Sequence, residues 1–253
     1  MTADAVRHAI AVVDYGMGNL HSVVKALSYL GVPWQVTGEP TALAAAAGIV
    51  LPGVGAFPAA ASRLREMGLD QELGKQAALG KPVLGICLGM QLLFTWGEEG
   101  GGTPGLGLLP GAVSLLPPGP KVPHMGWDAV TWELGSGSGS ALEPREPVPG
   151  PSEAGMSLLA GLMPPAYFYF VHSYAVRWPL EGGRGQGVKV ALCHYGVPFI
   201  AVVEAGNVLG TQFHPEKSGE AGLRLLRNFA TRCGFPVNEV SKRGEGLRGV
   251  SGR

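Results

Sequence analysis

Residues 83–91 read Val83-Leu84-Gly85-Ile86-Cys87-Leu88-Gly89-Met90-Gln91. A short apolar run suits a strand buried on both faces, and Met90 onward suits a helix, so Cys87 falls at a strand-to-helix turn between two glycines. Two readings compete. Free cysteine is among the most buried residue types, which makes a structural thiol the plain one. In a Gly-x-Cys-x-Gly strand–turn–helix, however, a nucleophile sits in a strained backbone conformation, and small residues at 85 and 89 relieve the crowding. The N–H groups opening the following helix would point at the sulfur and favour thiolate. The N–H of Leu88 would be placed to donate to an oxyanion.

Outward from this turn, the N-terminal side reads as a repeating strand–helix unit. Residues 9–13 form a continuous apolar run suited to a buried strand. Asn19 can cap a helix whose apolar positions Val23, Val24, Leu27 and Leu30 recur at helical spacing, stopped by Gly31 and Pro33. Strands are expected at 34–36, 48–51 and 82–86, and helices at 41–47, 58–67 and 71–79. Strands alternating with helices predict parallel pairing in an α/β sheet with helices on both faces. From about Gly111 the pattern changes to successive strands at 112–116, 167–175, 188–194, 198–203 and 208–213. These would add antiparallel strands at the sheet edge, with a hairpin through Ala205-Gly206-Asn207. A last helix over 221–231 carries Leu223, Leu226 and Phe229 on one side. The Gly/Ser/Pro-rich insert at 135–155 and the tail at 238–253 are expected to be unstructured, leaving one domain over 1–237.

Composition narrows the class. The chain has 253 residues, 46% hydrophobic and 15% charged, with Lys+Arg and Asp+Glu at 19 each. That balance argues against an electrostatic nucleic-acid binder. Three cysteines, Cys87, Cys193 and Cys233, do not make a disulfide framework. The apolar stretch at 9–13 is too short for a signal sequence or a membrane span, so the chain is expected to be soluble and cytoplasmic, with no membrane partner.

A thiol nucleophile needs a base, and the base needs an orienting group. His214 follows an apolar strand in Gly210-Thr211-Gln212-Phe213-His214-Pro215-Glu216. Glu216 stands two residues on, with Pro215 fixing the turn, so its carboxylate can lie alongside the imidazole and stabilise the imidazolium. The Gly-Met-Gly after Asp14-Tyr15 has His21 where a dinucleotide loop needs its third glycine, and that reading fails.

Together, the Gly-x-Cys-x-Gly turn and His-Pro-Glu resemble the class I glutamine amidotransferases, an α/β (flavodoxin-like) family with a Cys–His–Glu triad. The resemblance implies that Cys87, His214 and Glu216 are catalytic. Leu51-Pro52-Gly53-Val54-Gly55-Ala56-Phe57 resembles the family's oxyanion strand, so Gly53, Val54 and Gly55, with Leu88, would face the developing tetrahedral oxygen.

Three further stretches resemble one branch, the glutaminase subunits of imidazole glycerol phosphate synthase: Asp14 to Val23, Lys121-Val122-Pro123-His124-Met125-Gly126-Trp127, and Tyr169-Phe170-Val171-His172-Ser173-Tyr174. From residue type alone, Trp127 reads as packing and His172 as a satisfied core histidine. The resemblance implies instead that Gln91, His172, Ser173 and Tyr174 lie at the glutamine site. It also implies that Asn19, His124, Met125 and Trp127 face a (β/α)₈-barrel cyclase in a heterodimer. L-glutamine would be hydrolysed on this chain and the ammonia passed to the cyclase, with no metal or organic cofactor. Asp128 departs from the Asn usual after that Trp, as do the insert and the tail. Two other readings stand beside this one: the glutaminase subunit of another synthase, such as pyridoxal phosphate synthase, and a non-enzymatic binding module on the same fold. Loss of a triad member would favour the latter, and all three are present.

Overall fold

The computed structural model describes residues 9–132, 155–179 and 187–236. The segments expected to be unstructured, 135–155 and 238–253, lie outside these residues except for Gly155. The N-terminal half alternates as its apolar runs predict: β1 (Ile10–Val13), α1 (Leu20–Tyr29), β2 (Trp34–Thr37), α2 (Pro40–Ala45), β3 (Gly48–Gly53), α3 (Phe57–Glu66), α4 (Leu69–Ala78) and β4 (Val83–Cys87). α5 (Leu88–Leu93) opens directly on the Cys87 turn, two residues earlier than expected. Then follow β5 (Phe94–Gly97), β6 (Thr103–Pro104), β7 (Leu109–Leu115), β8 (His124–Thr131), β9 (Ala166–His172), β10 (Tyr174–Val176), β11 (Val188–Tyr195), β12 (Val197–Ala205), β13 (Val208–Thr211) and α6 (Gly219–Arg232).

The main sheet has nine strands in the order β2-β1-β3-β4-β13-β12-β11-β8-β9. The first five are parallel and the other four extend it antiparallel. β1 shows why the parallel strands are apolar throughout. Ile10 and Val12 pack on one side with Val23 and Leu27 of α1 and Leu226 and Phe229 of α6. Ala11 and Val13 pack on the other with Leu43 of α2, Leu64 of α3 and Leu73 of α4. Both faces of the sheet are therefore covered at β1, as its continuous apolar run requires.

The C-terminal half corrects several expectations. β7 does not join the edge of the main sheet: it pairs with β10 and β5 in a second, four-stranded sheet, where β6 lies beyond β5. β5, β6 and β8 were not foreseen as strands. The expected strand over 167–175 is two strands broken at Ser173, because β9 belongs to the main sheet and β10 to the small one. In α6 Leu225, Leu226, Phe229 and Ala230 are fully buried, while Leu223 is only partly covered. No helix among the described residues is long and apolar enough to cross a membrane.

Candidate active site

β4 lies between β3 and β13, parallel to both, so its last residue emerges at the carboxyl edge of the sheet with Gly53 as its register partner. That residue is Cys87, at φ 55° and ψ −112°, the one positive-φ residue other than glycine among the described residues. Such a conformation costs on the order of 1–3 kcal/mol and needs surrounding structure to hold it. Here the flanking glycines let the backbones close in. A Cβ on Gly85 would stand 2.6 Å from the Gly89 carbonyl oxygen, and one on Gly89 would overlap the carbonyl of Leu51. The turn also makes Cys87 the N-cap of α5.

His214 is clamped from β9. The His214 N–H donates to the Tyr169 carbonyl at 3.0 Å, and the Ser218 hydroxyl bridges the Tyr169 N–H and the His214 carbonyl at 3.0 and 2.6 Å. Pro215 opens the 3₁₀ turn Pro215–Lys217, which brings Glu216 Oε1 to 2.8 Å from His214 Nδ1. The two side chains are 2% and 1% exposed. His214 Nε2 has no hydrogen-bond partner at ordinary distance among the described residues. Burial disfavours its charged form, but Cys87 and then Glu216 outweigh that and push its pKa up to about 10.

Above the sulfur opens a pocket of about 330 Å³, lined by Val54, Gly55, Cys87, Leu88, Gln91, Glu99, Pro123, Val171, His172, Ser173 and Tyr174. A cavity of that size suits a ligand as small as an amino acid. The sequence brings to it Val54, Gly55, Leu88, Gln91, His172, Ser173 and Tyr174. Gly53 lies behind this wall, packed against Tyr15 and the start of α5. His172 meets both readings of it. It is buried against Phe170 and Phe199, and it lines the pocket. Its Nδ1 lies 2.9 Å from the Tyr174 carbonyl, which only accepts, so Nδ1 carries the proton, and its Nε2 lies 3.2 Å from His124 Nδ1. Burial and then His124 hold its pKa down at about 3, so it is a neutral wall rather than a second base.

Three residues that sequence reading did not single out belong to the site. Glu99 lines the pocket and accepts the Phe57 N–H at 2.7 Å, fixing the start of α3. Tyr15 donates to the Pro52 carbonyl behind Gly53. Gln212 reaches the sulfur from β13's end. Gln212 carried a signal: it stands two residues before His214, the spacing of one face of an extended segment.

The residues expected at a partner surface separate. Met125 and Trp127 are 62% and 56% exposed, on one face of β8. His124 does not join them. Strand alternation turns it inward, where it stacks on Tyr195 at 3.9 Å and bonds His172. Asn19 caps α1, its Oδ1 accepting from the Ser22 N–H at 3.4 Å, and is only partly buried.

A family model described as glutamine amidotransferase class-I matches residues 11–233. The imidazole glycerol phosphate synthase subunit HisH of Moorella thermoacetica is 46% identical over 220 residues, covering 87% of this chain and 93% of that protein. The HisH subunit of Symbiobacterium thermophilum is 48% identical over 220 residues, covering 87% and 92%. A solved crystal structure titled as a glutamine amidotransferase aligns with a TM-score of 0.63 at 22% identity, over 89% of this chain and 99% of that one, and speaks to the fold alone. Matches that run nearly end to end, over a strained cysteine facing a buried His–Glu pair, place the chain in the class-I glutamine amidotransferase family, among the HisH subunits of imidazole glycerol phosphate synthase.

Proposed function

We propose that this chain hydrolyses L-glutamine to glutamate and ammonia through Cys87, His214 and Glu216. We further propose that it delivers the ammonia to a (β/α)₈-barrel cyclase, which makes imidazole glycerol phosphate and an aminoimidazole carboxamide ribonucleotide in histidine biosynthesis. Residues 1–237 would form the amidotransferase domain, working as one half of a cytoplasmic heterodimer. The observation that carries this reading is the strained Cys87 beneath a small pocket, facing a His214 bonded to Glu216 at 2.8 Å.

The steps follow from the geometry. His214 takes the Cys87 proton, and Glu216 stabilises the imidazolium without moving a proton itself. The thiolate attacks the side-chain carboxamide carbon of glutamine. The oxyanion is met by main-chain N–H groups of Leu88 and the Gly53–Gly55 strand, and one such donor is worth about a hundred- to thousandfold in rate. The C–N bond breaks as His214 gives its proton to the leaving nitrogen, and ammonia departs. Water, deprotonated by the now neutral His214, attacks the thioester, releasing glutamate and restoring the thiol. Met125, Trp127 and Tyr167, all more than half exposed on β8 and β9, offer the apolar surface such a partner needs.

The test is Cys87→Ala assayed with the cyclase. Glutamine-dependent synthesis should vanish, while synthesis from added ammonium salt stays near the wild-type rate. Equal loss of both would break the division of labour proposed here.

A further inference from the structure

We propose that Gln212, held in place by Gln91, presents an amide N–H to the Cys87 sulfur and favours its thiolate form. The inference rests on Cys87 being the nucleophile of the reaction proposed above. A single backbone carbonyl fixes the orientation of both amides. The Tyr174 oxygen only accepts, and Gln91 Nε2 lies 2.8 Å from it, so that end of Gln91 is nitrogen. The same nitrogen turns its second proton to Gln212 at 3.1 Å, so the facing atom of Gln212 is oxygen. The other end of Gln212 is therefore Nε2, and it stands 3.8 Å from Cys87 Sγ. Both amides are buried, where a flipped orientation would leave donors opposite donors.

Register explains how they meet. β13 runs parallel to β4 with Thr211 opposite Ile86, so the next residue on each strand is Gln212 and Cys87. The donor answers a specific difficulty. On its other side the sulfur lies 3.9 Å from the Val171 carbonyl, which accepts from a thiol but repels a thiolate. Gln212 offsets that repulsion without adding a proton or a charge, and its orientation does not change as His214 titrates.

The experiment is alkylation of Cys87 in the full chain by iodoacetamide across pH 5–9, read by peptide mass, which needs neither glutamine nor the cyclase. Gln212→Met, similar in length and without the donor, should move the midpoint up and slow labelling about three- to tenfold at neutral pH, the effect of one neutral hydrogen bond. The limiting rate at high pH should stay the same, which a change of mere access would not allow. Gln91→Met should act in the same direction and less, because Gln212 keeps its donor but loses its tether. Cys193 and Cys233 are buried, and their protection reports an intact fold. If Gln212→Met exposes them, Gln91→Met decides. An unmoved midpoint in the folded Gln212 variant overturns the proposal, and a midpoint moved there but not in Gln91→Met removes the tether. A moved midpoint in a chain that makes no glutamate with the cyclase leaves this donor standing and the proposed reaction fallen. Normal turnover with an unmoved midpoint does the reverse.

Discussion

The hydroxyl of Tyr15, buried in the loop after β1, donates to the Pro52 carbonyl at 2.9 Å. Burial and then the Cys87 charge hold this phenol well above its usual pKa, so it stays a donor. Pro52 and Gly53 share one peptide unit, so gripping that oxygen fixes where the oxyanion strand begins. A Cβ on Gly53 would lie 2.7 Å from the same hydroxyl and 2.8 Å from the Gly89 nitrogen. Tyr15 does not line the pocket. Tyr15→Phe should therefore lower kcat for glutamine hydrolysis severalfold with KM nearly unchanged, and cost about 1 kcal/mol in urea unfolding. A raised KM at constant kcat would show that the hydroxyl acts on binding instead. His214 gives a pH prediction at the same scale. Its folded pKa of about 10 lies above the unfolded value near 6.5, so its contribution to stability is full below about 6.5 and is lost as pH rises through about 10. Glu216→Gln removes part of that rise. The stability gap between wild type and variant should be widest near pH 6 and narrow toward pH 10, as urea midpoints at stepped pH would report. A gap that widened with pH would contradict the assignment.

Among the elements, the hairpin between β12 and β13 shows how one side chain ties the sheet to a helix. Asn207 Nδ2 donates to the carbonyls of Ala77 and Lys81 at 2.8 Å each, and its own carbonyl accepts the Val83 N–H at 2.9 Å. The end of α4 and the entry to β4 are thus held by one turn residue. Asn207→Ala should cost about 1–2 kcal/mol in chemical unfolding, because two part-buried carbonyls lose their donor. Cys87 alkylation in the folded variant should be unchanged, since the turn lies at the opposite end of β4 from the nucleophile. This hairpin was legible in the sequence because Ala205-Gly206-Asn207 interrupts two apolar runs. β1, β3 and β4 were legible because strands covered on both faces must be apolar throughout. β8 was not. Its exposed Met125 and Trp127 and its half-covered Asp128 leave neither a continuous run nor a clean alternation. The break at Ser173 was hidden as well, since nothing in Tyr167 to Ala175 marks a turn. Only the existence of a second sheet, paired through Leu116 N–H to the Ser173 carbonyl, requires it.

For the whole molecule, the two motifs to which the proposed chemistry is assigned were legible because each is a local frame: glycines around Cys87, a proline between His214 and Glu216. Tyr15 and Glu99 were not, and the spacing of Gln212 to His214 shows only a shared face, because what these residues meet depends on which segments lie side by side. Sheet order also sets where a partner can dock. β8 and β9 close one edge of the nine-stranded sheet, and their register puts Trp127 opposite Tyr169 and Ala129 opposite Tyr167. Met125, Trp127 and Tyr167 stand exposed there, while the opposite face of the same two strands carries His124, His172 and Phe170 inward to the pocket and core. On the proposed reading, a cyclase would dock on this outward cluster to receive the ammonia. Trp127→Ala should weaken association with the cyclase by about 2 kcal/mol or more, roughly thirtyfold in Kd, the range of an aromatic anchor at an interface centre. Met125→Ala should cost less. The melting temperature of the isolated chain should stay within a degree or two for both, because neither side chain is in the core. Titration of labelled chain with cyclase, read by fluorescence anisotropy, gives the affinities. Wild-type affinity in Trp127→Ala would move the interface off this edge of the sheet, while leaving the chemistry at Cys87 where it stands.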